Sequence, residues 1–300
     1  MTGAGPLCAA ASLSFTWTAS TNTTLGRTSA LTLQRYGERK LLGASSLWET
    51  RDVLLENKVA VIYGGGPISG AVAGTFAREG ARIFLAGRSA AKLEAIAHKI
   101  LSRGGVVETA VVDALAQGAV DRFVDMVVDR AGAVDISFNL ISLGDVQRPL
   151  REISVEDFLQ PILTAMRSHF VTTRAAARHM IPRGSGVILA FGGGGPQTLP
   201  GLGGFKIALD ALEGLRRQWA IELGPHGIRV VTIKTGGIAE TLPDEIQGRD
   251  EIIAGLQQAA LLPWTATLND IGNVAAFVAS DQARTITAAD VNISSGAIVD

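Results

Sequence analysis

The stretch from Val59 to Ser89 constrains this chain more than any other. Val59-Ala60-Val61-Ile62-Tyr63 is a short apolar run rich in β-branched residues, which suits a strand buried on both faces. Gly64-Gly65-Gly66-Pro67 turns the chain, and Ser69 is placed to cap the helix that follows. Ala71, Val72, Phe76 and Ala77 recur at helical spacing, so that helix has one apolar face to lay on a sheet. Gly80 ends it, and Ala81 to Ala86 reads as a second buried strand. A strand, a glycine turn, a helix and a second strand form the unit in which a helix N-terminus faces a pyrophosphate. Glycines alone are a weak signal, because they also serve ordinary tight turns. Their place between a strand and a helix is the context that the dinucleotide reading requires. Ile68 stands where a middle glycine is expected between Gly64 and Gly70. Arg88 follows the second strand, where an acid would hold a ribose 2′-hydroxyl; an arginine there accommodates a 2′-phosphate. NADP(H) is therefore the expected cofactor, with a solvated arginine at a strand end as the plainer alternative.

Three hundred residues, 47% of them apolar, suffice for one large α/β domain with its own core. A net charge of −1 argues against nucleic acid as a partner. No run reaches the length of apolar residues that a membrane span needs. A single cysteine, Cys8, excludes an internal disulfide framework, and His98, His169, His179 and His226 show no metal-ligand spacing. No metal site is expected.

The first fifty residues differ from the rest. No Asp or Glu precedes Glu38, and roughly a third of the segment is Ser or Thr, a composition that folds poorly. An organelle transit peptide, a disordered tail and translated sequence upstream of a true start all fit it. Residues 1–53 are read as a disordered extension and residues 54–300 as the folded domain. Within the latter, strands at about 106–112, 134–140, 187–191, 228–234 and 290–294 alternate with helical patterns. The longest pattern, Val155 to Met180, carries Pro161, where a break or kink is expected. Such alternation implies right-handed crossovers, a mostly parallel sheet covered on both faces, and a crevice beyond the strands' C-terminal ends. Asp113, Asn139, Gly192 and Thr235 fall at such ends.

These landmarks, in this order, resemble the short-chain dehydrogenase/reductase superfamily over about residues 55–300. Gly64 and Gly70 match the outer glycines of its turn, Asp113 its adenine-side acid, and Asn139-Leu140-Ile141-Ser142 its NNAG motif. Lys206 to Leu212, Glu222 to Val230 and Asn292 to Gly296 are also close to the family's wording. The resemblance implies a Rossmann-type doubly wound α/β fold. It implies cofactor contacts from Gly64, Gly66, Ile68, Gly70, Arg88, Ser89, Asp113, Asn139, Lys206, Gly236 and Ile238. It also implies a small organic substrate, a homo-oligomer (dimer or tetramer) built on the helices around residues 155–180 and 205–223, and a cytoplasmic location, with organelle targeting by the extension left open.

The catalytic set departs from the family. Leu202 stands where its proton-donating tyrosine belongs, Ala165 where its helix asparagine belongs, and glycines 192–195 where its serine belongs. The tyrosine position of related enoyl reductases is Leu199. Of the usual set only Lys206 remains, which in the family also holds the nicotinamide ribose. Backbone N–H groups of Gly192 to Gly195 could receive an oxyanion, or the run is simply a loop. Tyr63 is expected to pack or to touch cofactor, and His169 and His179 to pack on their helix or lie at the surface. The apolar stretch Ile238 to Leu262 is expected to cover the substrate pocket, with Leu202 on its floor. Reduction of a carbonyl, an activated C=C bond or an imine fits this picture. So does a non-catalytic NADP(H)-binding module.

Overall fold

The computed structural model describes residues 53–299, apart from 193, 195, 197 and 247; the extension read at residues 1–53 lies almost wholly outside that range. Seven strands alternate with helices: β1 (Val59–Tyr63), β2 (Arg82–Gly87), β3 (Val106–Val111), β4 (Ile136–Asn139), β5 (Gly186–Gly192), β6 (Ile228–Lys234) and β7 (Ala289–Asn292). The helices are α1 (Pro67–Arg78), α2 (Ala90–Leu101), α3 (Gln117–Ala131), α4 (Val155–Met180), α5 (Phe205–Leu223), α6 (Arg249–Ala259) and α7 (Leu268–Ala279). One sheet holds all seven strands in the order β3-β2-β1-β4-β5-β6-β7, and every pairing is parallel.

β1 shows why the sheet is covered on both sides. All five of its residues are buried. Ala60 and Ile62 join one core with Phe76 of α1, Leu93 of α2 and Ile271 of α7. Val59, Val61 and Tyr63 join a second core with Val124 of α3, Ala176 of α4 and Leu223 of α5. The two-residue period of a strand divides one apolar run between two helical layers.

The strand order also fixes where a ligand can enter. From β1 the chain builds outward through β2 and β3, then returns to place β4 on the other side of β1. The connections leaving β1 and β4 diverge, and a crevice opens at their C-terminal ends.

Two local expectations are corrected. Gly66, not Ser69, is the N-cap of α1; Pro67 takes the first helical position, and Ser69 lies inside the helix, buried. α4 runs unbroken from residue 155 to 180 with Pro161 in its second turn. So near the N-terminus the proline removes one backbone bond rather than a mid-helix ladder. No described helix is long and apolar enough to cross a membrane.

Candidate cofactor and active site

A cavity of about 1450 Å³ opens at the C-terminal ends of the strands. Gly64, Gly66, Ile68, Arg88, Ser89, Asp113, Asn139, Lys206 and Gly236 all line it, although they come from segments spread over more than half the chain. Gly70 and Ile238 do not line it. Gly70 faces Ile96 of α2, and Ile238 is buried in the core shared by α1 and α7.

The phosphate turn is built by close approach. Gly64 has φ of +133°, and a Cβ there would stand 2.5 Å from Ser69 Oγ and 2.7 Å from the Leu140 carbonyl oxygen. Its N–H donates to the Ala86 carbonyl at 2.8 Å, which pins the turn to β2. Beyond it, α1 begins with no side-chain cap and no acid in its first turn. Its first N–H groups have no partner within the helix, and they carry the positive end of the helix dipole toward the cavity. Ser69 Oγ is buried without a hydrogen-bond partner and sits on the cavity wall. An orphan hydroxyl beside unpaired amides, over a glycine with no room for a side chain, suits a pyrophosphate.

Arg88 is exposed at the cavity mouth and makes no ion pair among the described residues. Ser89 is the N-cap of α2, its Oγ accepting from the Lys92 N–H at 3.5 Å. Lys92 lines the same mouth, with its Cβ 3.3 Å from where a Cβ on Gly65 would lie. α2 has no acid in its first turn. Sequence reading missed Lys92; the signal was a second cation four residues after Arg88 on a helix start. Asp113, also exposed, accepts from the Leu115 N–H at 3.0 Å, which leaves its second oxygen for a ligand.

Asn139 is committed to the protein. Its Nδ2 donates to Thr172 Oγ1 at 3.3 Å and its Oδ1 accepts from the Ile141 N–H at 3.2 Å, fastening the end of β4 to α4. Across β4, Lys206 donates to both carboxylate oxygens of Asp210, one turn along α5.

Leu199 and Leu202 both face the cavity. Ala165 packs with Leu143, Ala208, Leu209 and Leu212 in a small apolar core between α4 and α5. Tyr63 is wholly buried, edge-on to Phe123 at 5.9 Å, and its hydroxyl has no hydrogen-bond partner. Burial, with the nearby Asp121 carboxylate, pushes that phenol well above its usual range. Tyr63 therefore packs under α3 and reaches no substrate. The oxyanion expectation falls partly on Gly193 and Gly195, outside the described residues; Gly192 lines the cavity. Thr241, Ile252, Gly255, Leu256 and Ala259, all from the stretch expected to cover the pocket, form part of its wall.

The two histidines of α4 separate. His179 pairs with Asp125 of α3 at 2.8 Å, away from the cavity. His169 lines the cavity while 7% exposed, and desolvation lowers its pKa from 6.5 to about 4. A neutral buried histidine stabilises the fold above pH 6.5, and this contribution is lost as pH falls from 6.5 toward 4. Between pH 7 and pH 4 that loss is roughly 3 kcal/mol. In chemical denaturation from pH 7 to pH 4, His169→Gln is expected to lose that much less stability than the parent; equal losses would contradict neutral burial.

Residues 66–297 match a family model described as enoyl-(acyl carrier protein) reductase. Xanthoxin dehydrogenase of Arabidopsis thaliana is 30% identical over 81% of this chain and 90% of its own. An uncharacterized oxidoreductase of Bacillus subtilis, YxbG, is 29% identical over 81% of this chain and 91% of its own. Among solved structures, a short-chain dehydrogenase/reductase from Serratia marcescens superposes with a TM-score of 0.74 at 28% identity, covering 82% of this chain and all of that one.

Proposed function

Since this chain belongs to the short-chain dehydrogenase/reductase superfamily, we propose that it is an oxidoreductase that takes NADP(H) in the crevice between β1 and β4 and acts on a small organic substrate. The observation that carries the reading is the pairing of the close-packed Gly64 turn with two cations, Arg88 and Lys92, that no described carboxylate neutralises. The first turn of α1 and Ser69 Oγ would hold the pyrophosphate, Arg88 and Lys92 the 2′-phosphate, and Asp113 the adenosine side. When bound, the cofactor supplies or accepts a hydride. The chain's part is to bind and orient the partners and to exclude water.

The substrate side is largely apolar, with Leu143, Leu199, Leu202 and Phe205 on the wall; Gln160, Thr164 and His169 of α4, with Thr198 and Thr241, bring polar side chains. A positioned general acid contributes about 10²–10⁴-fold, and no tyrosine is among the described residues that line the cavity. Substrates whose reduction leans less on a protein phenol fit this pocket better than simple ketones do: activated C=C bonds and imines. A screen of NADPH consumption against the three classes tests this. Rapid turnover of plain ketones with none of the others would overturn it. The same three replacements favour a second reading, a cofactor-binding module without turnover, for which NADPH binds but no substrate class consumes it.

The 2′-phosphate contact has its own test. A charge-assisted hydrogen bond contributes about 1.5–3 kcal/mol, so Arg88→Ala is expected to weaken NADPH binding about ten- to a hundredfold and leave NADH nearly unchanged. Calorimetric titration reads both; equal losses for the two nucleotides would remove Arg88 from the 2′-phosphate. Self-association belongs on α4 and α5, whose outer faces expose Leu163, Phe170 and Ile221.

A further inference from the structure

We infer that Asp210 determines which redox state of the nicotinamide cofactor this chain prefers, by neutralising Lys206 at the far end of the cavity; the inference rests on the cofactor reading above. Three described cations line the cavity: Arg88, Lys92 and Lys206. Arg88 and Lys92 stand on the β2 side without an anion. Lys206 alone carries one, donating to both Asp210 oxygens at 2.5 Å. Its side chain is 12% exposed and that of Asp210 48%, so the pair spans from the cavity wall to the surface.

The strand order gives the consequence. A dinucleotide with its pyrophosphate at α1 and its adenosine side toward Arg88 and Asp113 has only one way to extend. It must cross β4 toward β5 and β6, where Gly192, Lys206 and Thr235 form the wall. The oxidised nicotinamide ring is a cation and the reduced ring is neutral. A lone ammonium beside it would repel the first and leave the second untouched; an ammonium paired with a carboxylate discriminates far less. The glycine run adds a reason for the pairing. A Cβ on Gly194 would lie 3.4 Å from Asp210 Oδ1 and 3.3 Å from Glu213 Cγ, so the absence of a side chain there leaves space for the carboxylate.

The experiment is a fluorescence titration of the purified full-length chain with oxidised and with reduced NADP, reading the ratio of the two dissociation constants. In Asp210→Asn the ratio of oxidised to reduced is expected to rise about tenfold. Asp210→Glu keeps the parental ratio, and the double variant Lys206→Met with Asp210→Asn returns to within about threefold of it. A residue that merely supports the helix would weaken both forms together. An unchanged ratio in Asp210→Asn, or a raised ratio that survives removal of Lys206, overturns the inference while the cofactor reading stands. A parent chain that binds neither form overturns both.

Discussion

Replacing Gly64 with alanine is expected to abolish measurable binding of NADPH and to destabilise the fold by about 3 kcal/mol. Two effects add at this residue. Its φ of +133° lies where side-chain-bearing residues are strained by about 1–3 kcal/mol. The new Cβ would also meet Ser69 Oγ at 2.5 Å and the Leu140 carbonyl oxygen at 2.7 Å. The hydroxyl can rotate away, but the carbonyl belongs to backbone that leaves β4, and overpacking against backbone costs about 1–3 kcal/mol. Relief comes by opening the turn, which carries the first N–H groups of α1 away from the crevice. Gly66 is the control. It has φ of −89° and nothing within 4 Å of an added Cβ. Gly66→Ala should keep its thermal stability to within about 1 kcal/mol yet lose NADPH, because its Cβ would project into the phosphate site. Calorimetry and thermal melts on both variants decide the matter; a Gly64→Ala protein that melts and binds as the parent does would show that the turn is not the phosphate site.

Gly204→Ala is expected to lower stability by a similar amount, about 3 kcal/mol, and the melting temperature by about 6–12 °C. The backbone of Gly204 (φ −79°, ψ −11°) accepts any L-residue, so strain is not the cause. The cause is contact: a Cβ there would lie 1.9 Å from the Phe158 carbonyl oxygen of α4. Neither group can rotate aside, so the start of α5 must back away from α4. Lys206 begins two residues later and moves with it, and NADPH affinity should fall as well. Gly214→Ala on the same helix meets nothing within 4 Å and should stabilise by about 0.5–1 kcal/mol. If Gly204→Ala melts no lower than Gly214→Ala, the close α4–α5 approach is wrong.

The fold was readable along the chain because its signals are local. A buried strand announces itself by a β-branched run, a helix by its 3.6-residue period, a phosphate turn by glycines between the two. Those features placed all seven strands within about two residues of where they lie, and with them the strand-end positions of Gly64, Arg88 and Asp113; Lys206 came from the family resemblance. The gaps at Leu202 and Ala165 came from the resemblance, and the structure puts Leu202 on the cavity wall and Ala165 in an apolar core.

What depended on tertiary structure lies between elements. Which face of β1 receives Tyr63 cannot be read from alternation, since both faces are apolar; packing of α3 decides it, and thereby removes the described tyrosine from the chemistry. Ile238 was expected at the cofactor and went into the core, because a loop residue's direction follows from the helices that pack on it. Ser69 left its expected cap position once Gly66-Pro67 started the helix first. Lys92 joins Arg88 at the cavity mouth only because α2 folds back beside the Gly64 turn. The order of strands and helices and the chemistry of the turn were legible along the chain, because both follow from neighbours in it. Only the packed structure decided which side chains share the cavity, since a contact across dozens of residues is set by the side chains' volumes and not by their spacing.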